Sequence, residues 1–108
     1  ELSPPGGGFV VLYDDGMAVA GGGVKRLDER ACEIKRMYVV PEARGRGLGV
    51  ELLGALEGLA RDLGYAIARL DTGVRQPAAQ RMFERAGYLP VADYNANPYA
   101  AFWGEKQL

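Results

Sequence analysis

A glycine-rich loop joins two segments of different hydrophobic period, and this junction constrains the fold more than any other feature. Before the loop, short apolar runs alternate with turn residues over residues 9–40, which predicts an antiparallel meander of strands. After it, leucines recur at three- and four-residue steps from Leu48 to Leu63, which predicts an amphipathic helix. The chain should therefore form an α+β domain in which a strand leads directly into a helix N-terminus.

The rest of the chain continues this pattern without a repeat or a linker. The predicted strands lie at 9–13, 17–25, 31–40, 67–70, 88–92 and 101–105. Pro77 and Gly87 mark the ends of a second helix, and the run Gly21-Gly22-Gly23 suggests a bulge in the second strand. We therefore expect residues 1–108 to form one α+β domain with a mixed sheet.

Composition excludes several classes of function. The sequence has no histidine and one cysteine, which rules out a Ser-His-Asp triad, a Cys-His pair, an internal disulfide and a histidine- or cysteine-ligated metal site. Lys and Arg number 13 against 14 Asp and Glu, a balance that argues against a nucleic-acid-binding surface. No apolar run is long enough to span a membrane, and the cytoplasm is the default location.

The loop from Arg44 to Gly49 has the composition of an anion-binding site. Its glycines allow backbone N–H groups to point outward, and the following helix adds unpaired N–H groups and a positive dipole end. The spacing fits neither G-x-x-x-x-G-K-S/T nor G-x-G-x-x-G. We interpret the loop as a cradle for a pyrophosphate. The alternative is a strand-to-helix turn that needs glycine only for packing.

Two motifs in this chain resemble those of a known superfamily. Arg44-Gly45-Arg46-Gly47-Leu48-Gly49 resembles the Q/R-x-x-G-x-G/A signature of the GNAT superfamily of acyl-CoA-dependent N-acyltransferases. The second signature, N-x-x-A-x-x-x-Y-x-x-x-G-F/Y, is similar to the set Gln76, Ala79, Phe83, Gly87 and Tyr88. The segments 33–39 and 70–73 further resemble small stand-alone bacterial members.

This resemblance implies a GNAT-like mixed sheet, acetyl-CoA as co-substrate without a metal, and transfer of the acetyl group to an amine in a ternary complex. Backbone N–H groups near 37–39 would polarise the thioester carbonyl, backbone over 45–50 would hold the pyrophosphate, and Gln76 would reach the pantetheine arm. The residues implied to bind the cofactor are Met37, Tyr38, Val39, Arg44, Gly45, Arg46, Gly47, Leu48, Gly49, Val50, Gln76 and Phe83.

Acetyl transfer to an amine requires a base, because a lysine-like amine has a pKa of about 10.4 and is protonated at pH 7. Without histidine, the base is a carboxylate, a tyrosine or a water. Glu33, on the strand that enters the loop, and Asp71, at the end of the next strand, stand where members of the superfamily carry it. The alternatives are an ion pair for Glu33 and a cap of the loop 72–76 for Asp71.

The chain departs from the family pattern at two positions. Gln76 replaces the usual asparagine, and Phe83 replaces a tyrosine that often serves as general acid. A thiolate leaving group, with a pKa of about 8.5, needs little acid assistance. Otherwise Tyr38, Tyr94 or Tyr99 would substitute. Phe83 also fits plain core packing, and its presence favours an alternative function, an acyl-CoA-binding domain without turnover.

The remaining expectations concern Cys32, the partners and the chain length. Cys32 alternates with Glu33 on a strand, so we expect it in the core rather than as a nucleophile. Aromatic residues over 94–103 would line the pocket for a small-molecule or peptide amine, form a homodimer contact, or pack in the core. Only 43 residues precede Arg44, so we expect the chain to lack the N-terminal part of the implied fold, or a partner to supply it.

Overall fold

A mixed sheet and two helices form in the computed structural model, which describes residues 2–73 and 76–108. The strands are β1 Gly8–Asp14, β2 Met17–Arg26, β3 Ala31–Val39, β4 Ile67–Gly73, β5 Leu89–Pro90 and β6 Ala100–Gln107, and the helices are α1 Leu48–Asp62 and α2 Pro77–Arg85. The order across the sheet is β1-β2-β3-β4-β6-β5, with all neighbours antiparallel except β3 and β4. The predicted α+β class is confirmed.

The bulge expected in β2 lies instead in β3. The pairing skips from Gly21–Tyr38 to Gly23–Lys35, so the extra residue belongs to β3, where Arg36 has a φ of 58°. Gly22 lies opposite this bulge. A Cβ on Gly22 would stand 2.9 Å from a methyl of Leu56, so glycine is needed there for the approach of α1 to the sheet.

The C-terminal strands differ from expectation in extent. The predicted strand 88–92 is wrong in length, since only Leu89–Pro90 pairs with β6 as a strand, although the Val91 N–H still donates to the carbonyl oxygen of Trp103 at 2.9 Å. In contrast, β4 continues to Gly73 and β6 to Gln107, because these two strands pair along their whole length. The predicted third strand ends one residue early, at Val39.

The core lies between α1, α2 and one face of the sheet. The fully buried side chains of α1 are Leu52, Leu56 and Ala60, which follow the predicted helical face. Glu57 on the same helix is also buried, and its carboxylate accepts hydrogen bonds from the Tyr88 hydroxyl at 2.8 Å and from Lys106 at 3.0 Å. This buried charge therefore joins α1 to the segment after α2 and to β6. No helix in the described ranges is long and apolar enough to cross a bilayer.

The close approach at Gly22 predicts a specific effect on stability. Gly22→Ala should lower the free energy of unfolding by about 1–3 kcal/mol, since the new methyl collides with Leu56 and Met37. Gly54→Ala is the matched control, because Gly54 is exposed on α1 and a Cβ there meets nothing within 4 Å. That control should stabilise the helix by up to about 1 kcal/mol. Urea denaturation measures both, and equal effects would contradict the packing argument.

Candidate active site

A groove opens where β3 and β4 part. Their parallel ladder runs only from Ala31–Ile67 to Glu33–Arg69, although both strands continue. A cavity of about 450 Å³ lies between the diverging strands, and a second of about 650 Å³ extends towards the glycine loop. The two cavities share the lining residues Met37, Tyr38, Val39, Gly49, Gln76, Ala79 and Met82. One continuous groove therefore runs from Glu33 to the loop before α1.

The glycine loop presents open backbone at one end of this groove. Gly45 has a φ of 83° and Gly47, the N-cap of α1, a φ of 76°, conformations that favour glycine. A Cβ at either position would meet nothing within 4 Å. No side chain of the described residues caps α1, so the N–H groups of its first turn remain available to an anion.

The two arginines of the loop are engaged with the protein itself. Arg44 Nε donates to the carbonyl oxygen of Val39 at 3.0 Å, and its guanidinium lies 5.6 Å from the centre of the Tyr38 ring. Arg46 forms an ion pair of 3.1 Å with Asp14, and both side chains are about half exposed. The arginines thus hold the loop against β3 and the β1–β2 hairpin while their charges stay beside it.

Most of the cofactor-binding candidates line the two cavities. Arg46 and Val50 are absent from these linings, and Val50 is instead 62% exposed beside α2. A Cβ on Gly49 would stand 3.1 Å from the sulfur of Met82. The packing alternative therefore applies to Gly49, whereas the positive φ angles account for Gly45 and Gly47. Leu48 lines the second cavity beside them.

Gln76 and Phe83, the two departures from the family pattern, both face the groove. The Gln76 side-chain oxygen accepts a weak hydrogen bond from the N–H of Gly73 at 3.4 Å. Phe83 is 6% exposed, lines the first cavity and packs edge-on against Tyr88 with ring centres 6.0 Å apart. Phe83 therefore both packs in the core and lines the groove.

Glu33 and Asp71 meet at the other end of the groove. Glu33 is 3% exposed and its Oε2 accepts hydrogen bonds from the Tyr94 hydroxyl at 2.7 Å and from Asn95 Nδ2 at 3.0 Å. Asp71 Oδ2 accepts from the same Asn95 nitrogen at 2.6 Å and from Asn97 Nδ2 at 3.3 Å. Both carboxylates line the first cavity.

The structure also bears on the alternative roles of the two carboxylates, an ion pair for Glu33 and a loop cap for Asp71. Lys35 Nζ lies 3.7 Å from Glu33 Oε1, so Glu33 has an ion-pair partner in addition to its loop contacts. For Asp71, the hydrogen bonds run to Asn95 and Asn97. Residues 74 and 75, part of the loop that Asp71 would cap, lie outside the described residues.

The loop 95–98 takes part in the site, a role that the sequence does not predict. The loop is closed by Asp93, whose carboxylate accepts from the backbone N–H groups of Asn95 at 3.0 Å and Ala96 at 2.6 Å. The Asn95 side-chain oxygen accepts from Trp103 Nε1 at 3.0 Å. The alternation of polar residues at 93, 95 and 97 is the signal that could have pointed to this loop.

The tyrosines proposed as acids lie in different environments. Burial, followed by the hydrogen bond to Glu33, raises the pKa of Tyr94 well above its ordinary value, so its hydroxyl stays protonated. Tyr38 and Tyr99 are 53% and 80% exposed, and both line the first cavity. Thr72 adds a hydroxyl to that lining that is buried without a hydrogen-bond partner among the described residues.

Cys32 lies in the core, on the other face of β3 from Glu33. Its side chain is fully buried, and burial raises the pKa of the thiol to about 11. A protonated, inaccessible thiol is a poor nucleophile. The structure thus agrees with the expectation that Cys32 serves packing.

The burial of Cys32 predicts both its reactivity and a pH effect. Native protein should resist iodoacetamide at pH 8 and react on unfolding. The folded thiol keeps its proton while the unfolded thiol ionises near its ordinary pKa of 9.0, so stability present below pH 9 is lost as pH rises towards 11. Cys32→Ala should flatten this part of a stability–pH curve measured by urea denaturation. An unchanged slope would contradict the assignment.

Comparisons with known proteins give a consistent family. Residues 1–88 match the model of the acetyltransferase (GNAT) family. The chain is 33% identical to the IAA acetyltransferase of Azospirillum brasilense, over 99% of this chain and 72% of that protein. Across four curated relatives, the matched part spans between 36% and 72% of their length.

Solved structures agree with this match. A candidate acyl-CoA N-acyltransferase from Klebsiella pneumoniae superposes with a TM-score of 0.89 at 33% identity, over 100% of this chain and 77% of that one. A GNAT family acetyltransferase from Elizabethkingia anophelis with acetyl-CoA bound superposes with a TM-score of 0.82 at 15% identity, over 94% and 76% of the two chains. The second likeness shows the fold alone.

Proposed function

The chain belongs to the GNAT family of acetyltransferases, and on this premise we propose that it transfers an acetyl group from acetyl-CoA to a primary amine by direct attack in a ternary complex. Acyl transfer from acetyl-CoA is the general activity of the family. The observation that carries the finer proposal is the groove that joins an open anion cradle to a pair of carboxylates.

The residues of the groove fit acetyl-CoA. The open backbone of Gly45 and Gly47 and the uncapped N-terminus of α1 suit a pyrophosphate, with Arg44 and Arg46 adding positive charge. The edge of β3 that no longer pairs with β4 and the amide of Gln76 can hydrogen-bond to the polar groups of a pantetheine arm. Acetyl-CoA supplies the thioester carbon that the amine attacks and the thiolate that departs.

Glu33 is the proposed base, and Asp71 is the second candidate. The acceptor arrives as an ammonium, so a carboxylate at the groove must remove a proton before the nitrogen attacks. Loop hydrogen bonds engage Glu33 Oε2, which leaves Oε1, 3.7 Å from Lys35, to receive that proton. The acceptor is a small-molecule or peptide amine that reaches the first cavity.

Backbone N–H groups of the segment 37–39 that point away from β2 are proposed to stabilise negative charge on the thioester oxygen. They follow the bulge at Arg36 on the edge of β3 that has left β4. Phe83 cannot donate a proton, so the thiolate departs unaided or takes a proton from Tyr38 or Tyr99, which both line the same cavity.

The position of Phe83 also favours a second function, binding of acyl-CoA without turnover. Phe83 packs against Tyr88 at the place where the family pattern has a proton donor. Such a domain would keep the anion cradle and lack transfer to any amine. Of the following two experiments, the first tests the cradle that both functions require, and the second separates the two functions.

Gly47→Glu should abolish acetyl-CoA binding, because a carboxylate would project from the proposed pyrophosphate site. Gly47→Asn tests strain alone, since asparagine tolerates the left-handed conformation without adding charge. Gly64→Glu, at the opposite end of α1 with a φ of 94°, adds the same charge far from the loop. Isothermal titration calorimetry measures all three. Equal affinities for wild type and Gly47→Glu would count against the cradle.

Glu33→Gln should lower kcat by about 10²–10⁴-fold, the usual contribution of a general base, with an unchanged KM for acetyl-CoA. Glutamine can still present an oxygen to Tyr94 and Asn95, so the fold should persist. Asp71→Asn is the companion variant, and the larger loss identifies the base. Thiol release across a panel of amines measures both. Tight acetyl-CoA binding without turnover on any amine would leave the binding function standing instead.

A further inference from the structure

A single side-chain amide joins the two carboxylates of the site. Asn95 Nδ2 lies 3.0 Å from Glu33 Oε2 and 2.6 Å from Asp71 Oδ2. An amide nitrogen carries two hydrogens, so Asn95 donates one to each carboxylate at the same time. The partners stand 62 and 24 positions away in the chain, so the fold alone brings the three groups together.

The chemistry of its partners fixes the orientation of this amide. Trp103 Nε1 lies 3.0 Å from Asn95 Oδ1, and the backbone N–H of Asn97 lies 3.1 Å from the same oxygen. Both are donors only, so the oxygen must face them and the nitrogen must face the carboxylates. A reversed amide would place its oxygen against two carboxylate oxygens.

The loop contacts distinguish the two oxygens of each carboxylate. Tyr94 and Asn95 both donate to Glu33 Oε2, and Asn95 and Asn97 both donate to Asp71 Oδ2. Among the described residues, Glu33 Oε1 faces the Lys35 ammonium at 3.7 Å rather than the loop. The loop therefore determines which oxygen of Glu33 stays open to a proton.

We propose that Asn95 is a positioning residue that acts through Glu33 and Asp71, as a neutral bridge that keeps the carboxylates apart and leaves Glu33 Oε1 to take the proton of the acceptor amine. This proposal rests on the proposed function. Two carboxylates at one site otherwise repel or share a proton directly, which would spoil a base. The amide donates to both, which prevents a directly shared proton and offsets part of their repulsion without adding charge.

The charged surroundings of the bridge are few among the described residues. Lys35 on β3 lies beside Glu33, and Arg69 on β4 lies 6.0 Å from the centre of the Tyr94 ring. Arg69 is itself paired with Glu105 of β6 at 2.7 Å. The Asp93 carboxylate also lies beside the bridge, where it accepts from the backbone N–H of Asn95 at 3.0 Å. The one ammonium, on Lys35, is already paired with Glu33, so a further negative charge placed at Asn95 would have no cation of its own among the described residues.

Three variants test the bridge. Asn95→Asp keeps the shape and the oxygen that accepts from Trp103, but replaces the donor by a carboxylate oxygen. Asn95→Ser replaces the two amide hydrogens by one shorter hydroxyl donor, which cannot bridge both carboxylates, without adding charge. Gln107→Glu, at the exposed far end of β6, adds the same charge away from the groove and should match wild type.

We expect Asn95→Asp to lower kcat/KM for the amine by about 10- to 100-fold, a part of what a general base contributes. The acid limb of its pH–rate profile should move upward by about one pH unit or more. Asn95→Ser should lower the rate with a smaller shift of the limb, and the KM for acetyl-CoA should stay unchanged in both. Wild-type rates and profiles in both variants would overturn the proposal. So would rate losses that follow a lower Tm while the acid limb stays in place.

A second readout needs no turnover. Carboxyl-carbon NMR of the full chain follows the titration of Glu33 and Asp71 in wild type and Asn95→Asp. The proposal requires at least one of these titrations to move upward in the variant, and superimposable curves would overturn it. If the titrations move but wild type acetylates no amine, the bridge stands and the proposed function fails.

Discussion

The early end of the parallel ladder between β3 and β4 is the constraint on which the site depends. The two strands pair only as far as Glu33–Arg69, and each is then held by its other neighbour, β3 by β2 and β4 by β6. Backbone groups along the parted edges must find partners outside the sheet. The divergence therefore creates the groove and supplies it with polar backbone, before any side chain contributes.

Four glycines around the groove and α1 fall into two physical classes. Gly45 and Gly47 adopt positive φ with open space around them, so they are conformational and leave backbone accessible. Gly22 and Gly49 instead stand where another side chain approaches. A Cβ on Gly22 would lie 2.9 Å from Leu56, and a Cβ on Gly49 would lie 3.1 Å from Met82. The first class shapes the loop, and the second lets α1 approach the sheet and α2.

The sequence was informative where local rules decide the structure. The start of α1 at Leu48 and the start of α2 at Pro77 follow from period, glycine and proline alone. It was less informative where pairing decides. The glycine run of β2 indicated a bulge, but only the register shows that the extra residue is Arg36 on β3. The contacts of Asn95 could not be predicted from the sequence, because no local pattern specifies a partner 62 positions away.

One end of the groove presents mainly backbone groups and the other presents side chains, and this difference bears on the proposed reaction. At the loop end, anion attraction comes mainly from backbone N–H groups and the dipole of α1, with added charge from Arg44 and from Arg46, which is paired with Asp14. At the far end, charge and hydrogen bonding come from side chains, with Asn95 between two carboxylates. Backbone donors persist through most substitutions, whereas a side-chain network changes with one residue. The proposed donor site and the carboxylate pair therefore depend on different parts of the chain. Substitutions in the segment 93–97 should alter the carboxylates while leaving the backbone of the loop in place.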